Sequence, residues 1–144
     1  MNNLSTTTKA ARLLTAAAQG SIMLLFMYAS VSKLLEMKTF QGQLSSSPLL
    51  KGFALPLSWL VPATEILVCL LLCFRSSLRT GLILALVLLA AFSIYIIAIL
   101  TGQAAIPCSC GGVLASMSWT EHLTFNLFFI GLLIAAILWG KPGS

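Results

Sequence analysis

Four cysteines fall into two pairs with different chemical prospects. Cys108 and Cys110 are separated by one residue and flanked by Pro107 and by Gly111-Gly112. A disulfide across that spacing closes a very small ring, and the backbone strain of closure raises the reduction potential and makes the bond exchangeable. That suits a redox centre, one thiol acting as nucleophile and the other resolving the mixed disulfide. The N-terminus of the helix that follows, and His122 near its start, would both lower the pKa of a nearby thiol. Two other readings stay open: a static loop bridge or two free thiols, and a soft-metal site in which Cys108, Cys110, Met117 and His122 hold Cu(I), or Zn with a further ligand. The spacing matches no strong zinc pattern, and no metal is assigned. Cys69 and Cys73 lie one helical turn apart, where intrahelical geometry disfavours a disulfide, and read as packing residues.

Glu65 is the one acidic residue well inside a strongly apolar run. An ionisable group within a membrane span is costly enough to make a function or a specific partner the default expectation. Helical rise places Asn126, Tyr28, Ser30 and Tyr95 at a similar depth on the other apolar runs. If these side chains face inward they form a polar chamber beneath the cysteine loop, suited to a quinone head group, a proton path or a buried structural network. On the structural reading, Glu65 is protonated or bonded to Lys33 or Asn126 and fixes helix register. No cofactor is required, and a membrane quinone is a candidate occupant of the chamber.

The elements that must position these residues are plain. Of the 144 residues, 59% are hydrophobic and 8% charged, too apolar a surface for a water-soluble fold of this size. Apolar runs cover about Leu13 to Leu35, Leu57 to Phe74, Leu82 to Leu100 and Thr120 to Trp139. Each is close to the ~20 residues a helix needs to cross a ~30 Å hydrocarbon core. The expected fold is therefore all-α: a single integral membrane domain, residues 1–144, forming a four-helix bundle. The first run follows Lys9 and Arg12 as a signal peptide would, but it is too long for a signal core and reads as a retained span. Gly42, Ser45-Ser46-Ser47-Pro48, Pro56, the Arg75 to Arg79 hinge and Gly102 through Gly112 mark the connections. Ser118-Trp119-Thr120-Glu121 fits a capping box at the start of the fourth helix. Gly131 with Ala135, and Ala16 with Gly20, offer small-residue steps for close helix contact.

The formal charge of +5 comes from eight basic residues scattered singly, which form no nucleic-acid patch. Topology explains them better. Lys9, Arg12, Arg75, Arg79 and Lys141 share one side of four crossings, while Lys38 and Lys51, with Lys33 at the end of the first helix, take the other. The excess places both termini on the cytoplasmic side and the Cys-x-Cys loop outside a bacterial inner membrane, where oxidation of thiols is permitted.

The ordered set of Tyr28-Ala-Ser-Val-Ser-Lys33-Leu, Leu60-Val-Pro-Ala-Thr-Glu65-Ile-Leu, and Ile106-Pro-Cys-Ser-Cys-Gly-Gly112 leading into Ser118-Trp119 resembles the MauE family, named for methylamine utilisation and grouped with DoxX-like membrane proteins. The family pattern often has Cys-x-Cys-Phe-Gly, whereas Gly111-Gly112 follows the second cysteine here. The resemblance implies a four-helix membrane fold and a part in maturing an exported, disulfide-rich enzyme subunit by supplying or removing electrons at its cysteines. Methylamine metabolism itself is not indicated by any residue of the chain, because the substrate enzyme would be a separate polypeptide. Four-helix thiol oxidoreductases of the vitamin K epoxide reductase and DsbB groups share the architecture but use Cys-x-x-Cys, so only analogy links them.

The functional expectation is a membrane thiol–disulfide electron-transfer protein. Cys108 and Cys110 exchange with an exported or periplasmic thiol partner, supported by Glu65, His122, Lys33, Asn126, Tyr28 and Tyr95. The alternative is a non-enzymatic membrane subunit that binds a small molecule, lipid or soft metal and uses its cysteines as a loop staple.

Overall fold

The computed structural model describes residues 2–102 and 117–139. Those residues form helices, with no strand among them: α1 (Asn2–Leu35), α2 (Met37–Ser46), a 3-10 turn (Lys51–Phe53), α3 (Ala54–Cys73), α4 (Leu78–Thr101) and α5 (Trp119–Trp139). Among the described residues, four stretches are long and apolar enough to cross a membrane: Lys9–Leu35, Lys51–Cys73, Leu78–Thr101 and Trp119–Trp139. The protein interior covers only 22–33% of the most apolar window in each. Leu24, Ile94 and Leu138, at 76%, 68% and 72% exposure, are typical of the remainder. Such a surface needs lipid as its solvent, so the chain is a multi-pass membrane protein.

The helices form a closed ring in which α1 packs on α3, α3 on α4, α4 on α5, and α5 back on α1. Contacts from Gln19 to Leu72, Met23 to Cys69 and Lys33 to Glu65 run in opposite chain directions, so α1 and α3 are antiparallel. One stripe of each helix faces inward. On α1 it runs through Ala18, Ile22, Phe26, Ser30 and Lys33, and on α3 through Ser58, Pro62, Glu65, Val68, Cys69 and Leu72. The three- and four-residue steps are those that keep side chains on one helical face.

The interior has two layers. Around the α3–α4 hairpin, Ile22, Val68, Cys69, Leu72, Leu82, Ala85 and Leu133 belong to one apolar cluster. That hairpin is tight: Ser77 Oγ donates to the Leu71 carbonyl at 2.8 Å, satisfying one acceptor left open at the end of α3. A methyl group placed on Gly81 would lie 2.9 Å from Leu72 Cδ2 and 3.2 Å from Leu71 Cβ. The close helix approach therefore falls at Gly81. Gly20 and Gly131, expected to provide it, have nothing within 4 Å of the same position, and their faces point away from the bundle. Toward the other end the buried side chains become polar: Ser30, Lys33, Ser58, Glu65, Ser93, His122 and Asn126.

The connection between α1 and α3 departs from the turn residues in it. Gly42 is an interior residue of α2 rather than a turn. The chain bends at Glu36, whose N–H donates to Ser32 O at 3.0 Å and whose carbonyl accepts from Phe40 N at 3.0 Å. Helical bonding thus passes almost unbroken into α2. Pro48 ends it, because the residue before a proline is pushed out of the helical region, and Ser47 is extended with φ −76° and ψ 125°. Pro56 sits in the first turn of α3, where no intrahelical donor is lost. α2 lies against α3, tied by Gln41 Nε2 donating to Ser58 Oγ at 3.1 Å.

Candidate functional site

The centre of the polar layer is an ion pair. Lys33 Nζ lies 2.6 Å from Glu65 Oε1, with both side chains almost completely buried. Glu65 is on the fourth turn of α3, roughly 16 Å along the helix from Ala54 at ~1.5 Å per residue. Lys33 approaches from the last turn of α1. A lysine near a helix end in a membrane ordinarily extends toward water. Here Nζ also contacts the carbonyl of Ala29 at 3.4 Å, one turn back, so the side chain runs inward along its own helix. The rings of Phe40 on α2 and Phe92 on α4 lie 5.9 Å and 5.8 Å from the ammonium, within cation–π range. Carboxylate, carbonyl and two ring faces together replace the hydration that the charge has lost.

Beside the pair is a cavity of about 390 Å³, lined from all five helices. Most of its wall is apolar, including Leu25, Phe26, Leu88 and Leu89. Polar groups reach it at a few points: Lys33, Glu65, Tyr95, His122 and Asn126 all line it. His122 and Asn126, one turn apart on α5, share its inward face. Tyr95 meets Trp119 edge to face, with ring centroids 6.4 Å apart, which closes the α4–α5 side. Two buried polar atoms have no hydrogen-bond partner among the described residues and belong to lining side chains: Glu65 Oε2 and Asn126 Nδ2.

The structure thus brings together five of the residues singled out in the sequence: Lys33, Glu65, Tyr95, His122 and Asn126. Tyr28 is not among them; it is 41% exposed and does not line the cavity. Ser30 is buried at the same level but directs its hydroxyl to its own helix, at Met27 O. Phe40 and Phe92 were not foreseen. For Phe92 a signal existed, because it precedes Tyr95 by three residues and so shares its helical face. For Phe40 none existed without α2.

Cys108 and Cys110 lie outside the described residues, as do Pro107, Gly111 and Gly112. The segment that carries them joins Gly102 at the end of α4 to Met117 before α5, at the end of the bundle that holds the cavity. The start of α5 is fixed as its sequence suggested: Ser118 N donates to Glu121 Oε2 at 2.7 Å and Glu121 N to Ser118 Oγ at 3.3 Å. Cys69 is buried with its thiol 3.7 Å from Met23 O, Cys73 is exposed, and both are free thiols. Among the described residues no group of three or more His, Cys, Asp or Glu could hold a metal. The soft-metal reading depends on Cys108 and Cys110.

Fold and site define a small multi-pass membrane protein with a charged chamber in one half of a four-helix bundle. The chain belongs to the family of the methylamine utilisation protein MauE, whose model matches residues 11–140. No curated protein and no solved structure matches it.

Proposed function

We propose that this chain is a membrane thiol–disulfide electron-transfer protein that matures the cysteines of an exported partner. In the exchange, a thiolate of one protein attacks the disulfide of the other and a mixed disulfide forms; the second thiol then displaces it. Two electrons and two protons pass between the partners, and Cys108 and Cys110 are the pair that carries them here. The grouping with DoxX-like proteins, an inner-membrane location and an outward-facing cysteine loop belong to the same proposal. A role in methylamine utilisation is suggested by family membership, with the exported enzyme subunit as the partner.

The observation that supports the reading is the buried Lys33–Glu65 pair, which lines a cavity toward the end of the bundle where α4 ends and α5 begins. Helix register alone needs no cavity beside the pair, and an intramembrane charge is retained against its cost when it serves a function. The test is capture of the partner. A Cys108→Ser or Cys110→Ser variant expressed in intact cells should accumulate a mixed disulfide with an exported protein, released by reductant. Full function in the Cys108→Ser, Cys110→Ser double variant would instead favour a non-enzymatic subunit that binds a small molecule in the cavity and uses its cysteines as a staple.

A further inference from the structure

Two side chains that line the cavity each hold one unpartnered buried atom, and the two atoms ask for opposite things. Glu65 and Asn126 are 1% and 3% exposed, on diagonally opposed helices of the ring. Leaving a buried polar atom unpaired is costly, so each marks a place where a partner is missing. Lys33 Nζ occupies Oε1 of the carboxylate. Whether the shared proton sits on Nζ or on Oε1, Oε2 keeps its lone pairs and accepts a hydrogen bond. The amide nitrogen of Asn126 can only donate.

We infer that the cavity binds a neutral, ring-bearing lipid of the isoprenoid quinol class, with one ring hydroxyl donating to Glu65 Oε2 and a second ring oxygen accepting from Asn126 Nδ2. The charges of Lys33 and Glu65 cancel, so an ionised head group would stand uncompensated in a low-dielectric site. A fatty acid or a lipid phosphate would also set a second anion beside Glu65. Aromatic side chains of Phe92, Tyr95, Trp119 and Phe125 line the cavity and suit a flat ring, while Leu25 and Leu88 suit its aliphatic tail. The volume of about 390 Å³ lies within the ~300–1,000 Å³ of small-molecule sites.

The site discriminates between redox forms. A quinone carries two carbonyl oxygens and no O–H, and it would set an acceptor against Oε2. A polar site rejects an analogue that leaves its buried groups unpaired, so the quinol binds more tightly. A tenfold preference raises the potential of the bound two-electron couple by ~30 mV. Quinone then accepts two electrons and two protons and becomes quinol, while a dithiol releases two electrons and two protons and closes to a disulfide. This direction, withdrawal of electrons from Cys108 and Cys110, rests on the thiol reading above; the binding preference does not.

The test uses the full chain in lipid nanodiscs, titrated anaerobically with decylubiquinol and with decylubiquinone by calorimetry. The wild-type protein should bind the quinol at least tenfold more tightly. Glu65→Gln, whose amide donates as well as accepts, should bring the two affinities within threefold of each other. Asn126→Leu should weaken both forms alike, at least fivefold, and the Cys108→Ser, Cys110→Ser double variant should change neither. Equal wild-type affinities, no saturable binding of either form, or a tenfold preference that survives Glu65→Gln would overturn the inference. The wild-type ratio needs no variant, so misfolding of a variant leaves the test intact. Equal affinities with an inactive double cysteine variant would remove the quinol site and leave the thiol reading standing. A tenfold quinol preference with an active double cysteine variant would do the reverse.

Discussion

Lys33 reaches Glu65 by running its side chain toward the membrane interior, with Nζ 2.6 Å from Oε1 and 3.4 Å from the carbonyl of Ala29 one turn behind it. The pair joins the end of α1 to the middle of α3, two helices whose other polar links lie at Gln19–Leu72 and Cys69–Met23.

A buried ion pair is more sensitive to the loss of one partner than of both. Lys33→Met alone should destabilise the protein by ~3–5 kcal/mol, because Glu65 is left without its counter-ion. Lys33→Met combined with Glu65→Leu should recover most of that loss, since a well-packed apolar pair removes the desolvation cost. Unfolding of the single and double variants in detergent measures the difference. A double variant no more stable than Lys33→Met would contradict the pair as the source of the effect.

Helix approach should be decided at Gly81 and not at Gly20 or Gly131. Gly81→Ala forces a methyl group against Leu72, itself fully buried, and should cost about 1–3 kcal/mol. Gly20→Ala and Gly131→Ala meet open space and should be neutral or slightly stabilising, as Ala exceeds Gly by up to ~1 kcal/mol in a helix. Thermal unfolding of the three variants separates the sites, and an equal loss at all three would remove the distinction.

The proposed orientation, with Lys9, Arg12, Arg75, Arg79 and Lys141 on the cytoplasmic side, can be tested directly. A membrane-impermeant thiol reagent should label reduced Cys108 or Cys110 in intact spheroplasts. Labelling only after the membrane is broken would invert the topology.

Function should be lost as completely in Cys108→Ser or in Cys110→Ser as in the double variant, because a dithiol cycle needs both sulfurs. Alkylation and mass measurement in growing cells should find both oxidation states of wild type. A graded loss that tracks stability would point to a staple, and loss in step with metal depletion to a metal site.

Much of this was legible in the sequence, for reasons that differ by element. The four membrane-spanning helices were visible because a lipid solvent demands long apolar runs. Glu65 stood out since charge is rare in such a run, and pairing with Lys33 was one of the partners its chemistry admitted. The Ser118–Glu121 cap was readable because both of its bonds are local. The inward faces were not. Lipid tails are as apolar as Leu, so a membrane helix shows little contrast between its two sides, and Tyr28 could not be told from Tyr95. α2 was hidden for another reason: Gly42 and the serines resemble a loop, and the helix is held by its contact with α3. Close approach at Gly81 depends on Leu72 of the neighbouring helix, which no spacing within α4 reveals.

The layered interior has an electrical consequence. Between the level of Glu65 and the α3–α4 hairpin, the buried cluster of Ile22, Val68, Leu72, Leu82, Ala85 and Leu133 is hydrocarbon, with Cys69 its one exception. That half of the bundle is an insulator. Moving one charge across the full membrane potential costs ~2.3 kcal/mol per 100 mV, apart from the cost of bringing it into hydrocarbon. On the redox function proposed above, a proton exchanged by the chamber would pass through its own end of the bundle rather than through this layer. Turnover by the proposed route would then be electroneutral, with equal rates expected in energised and de-energised membranes.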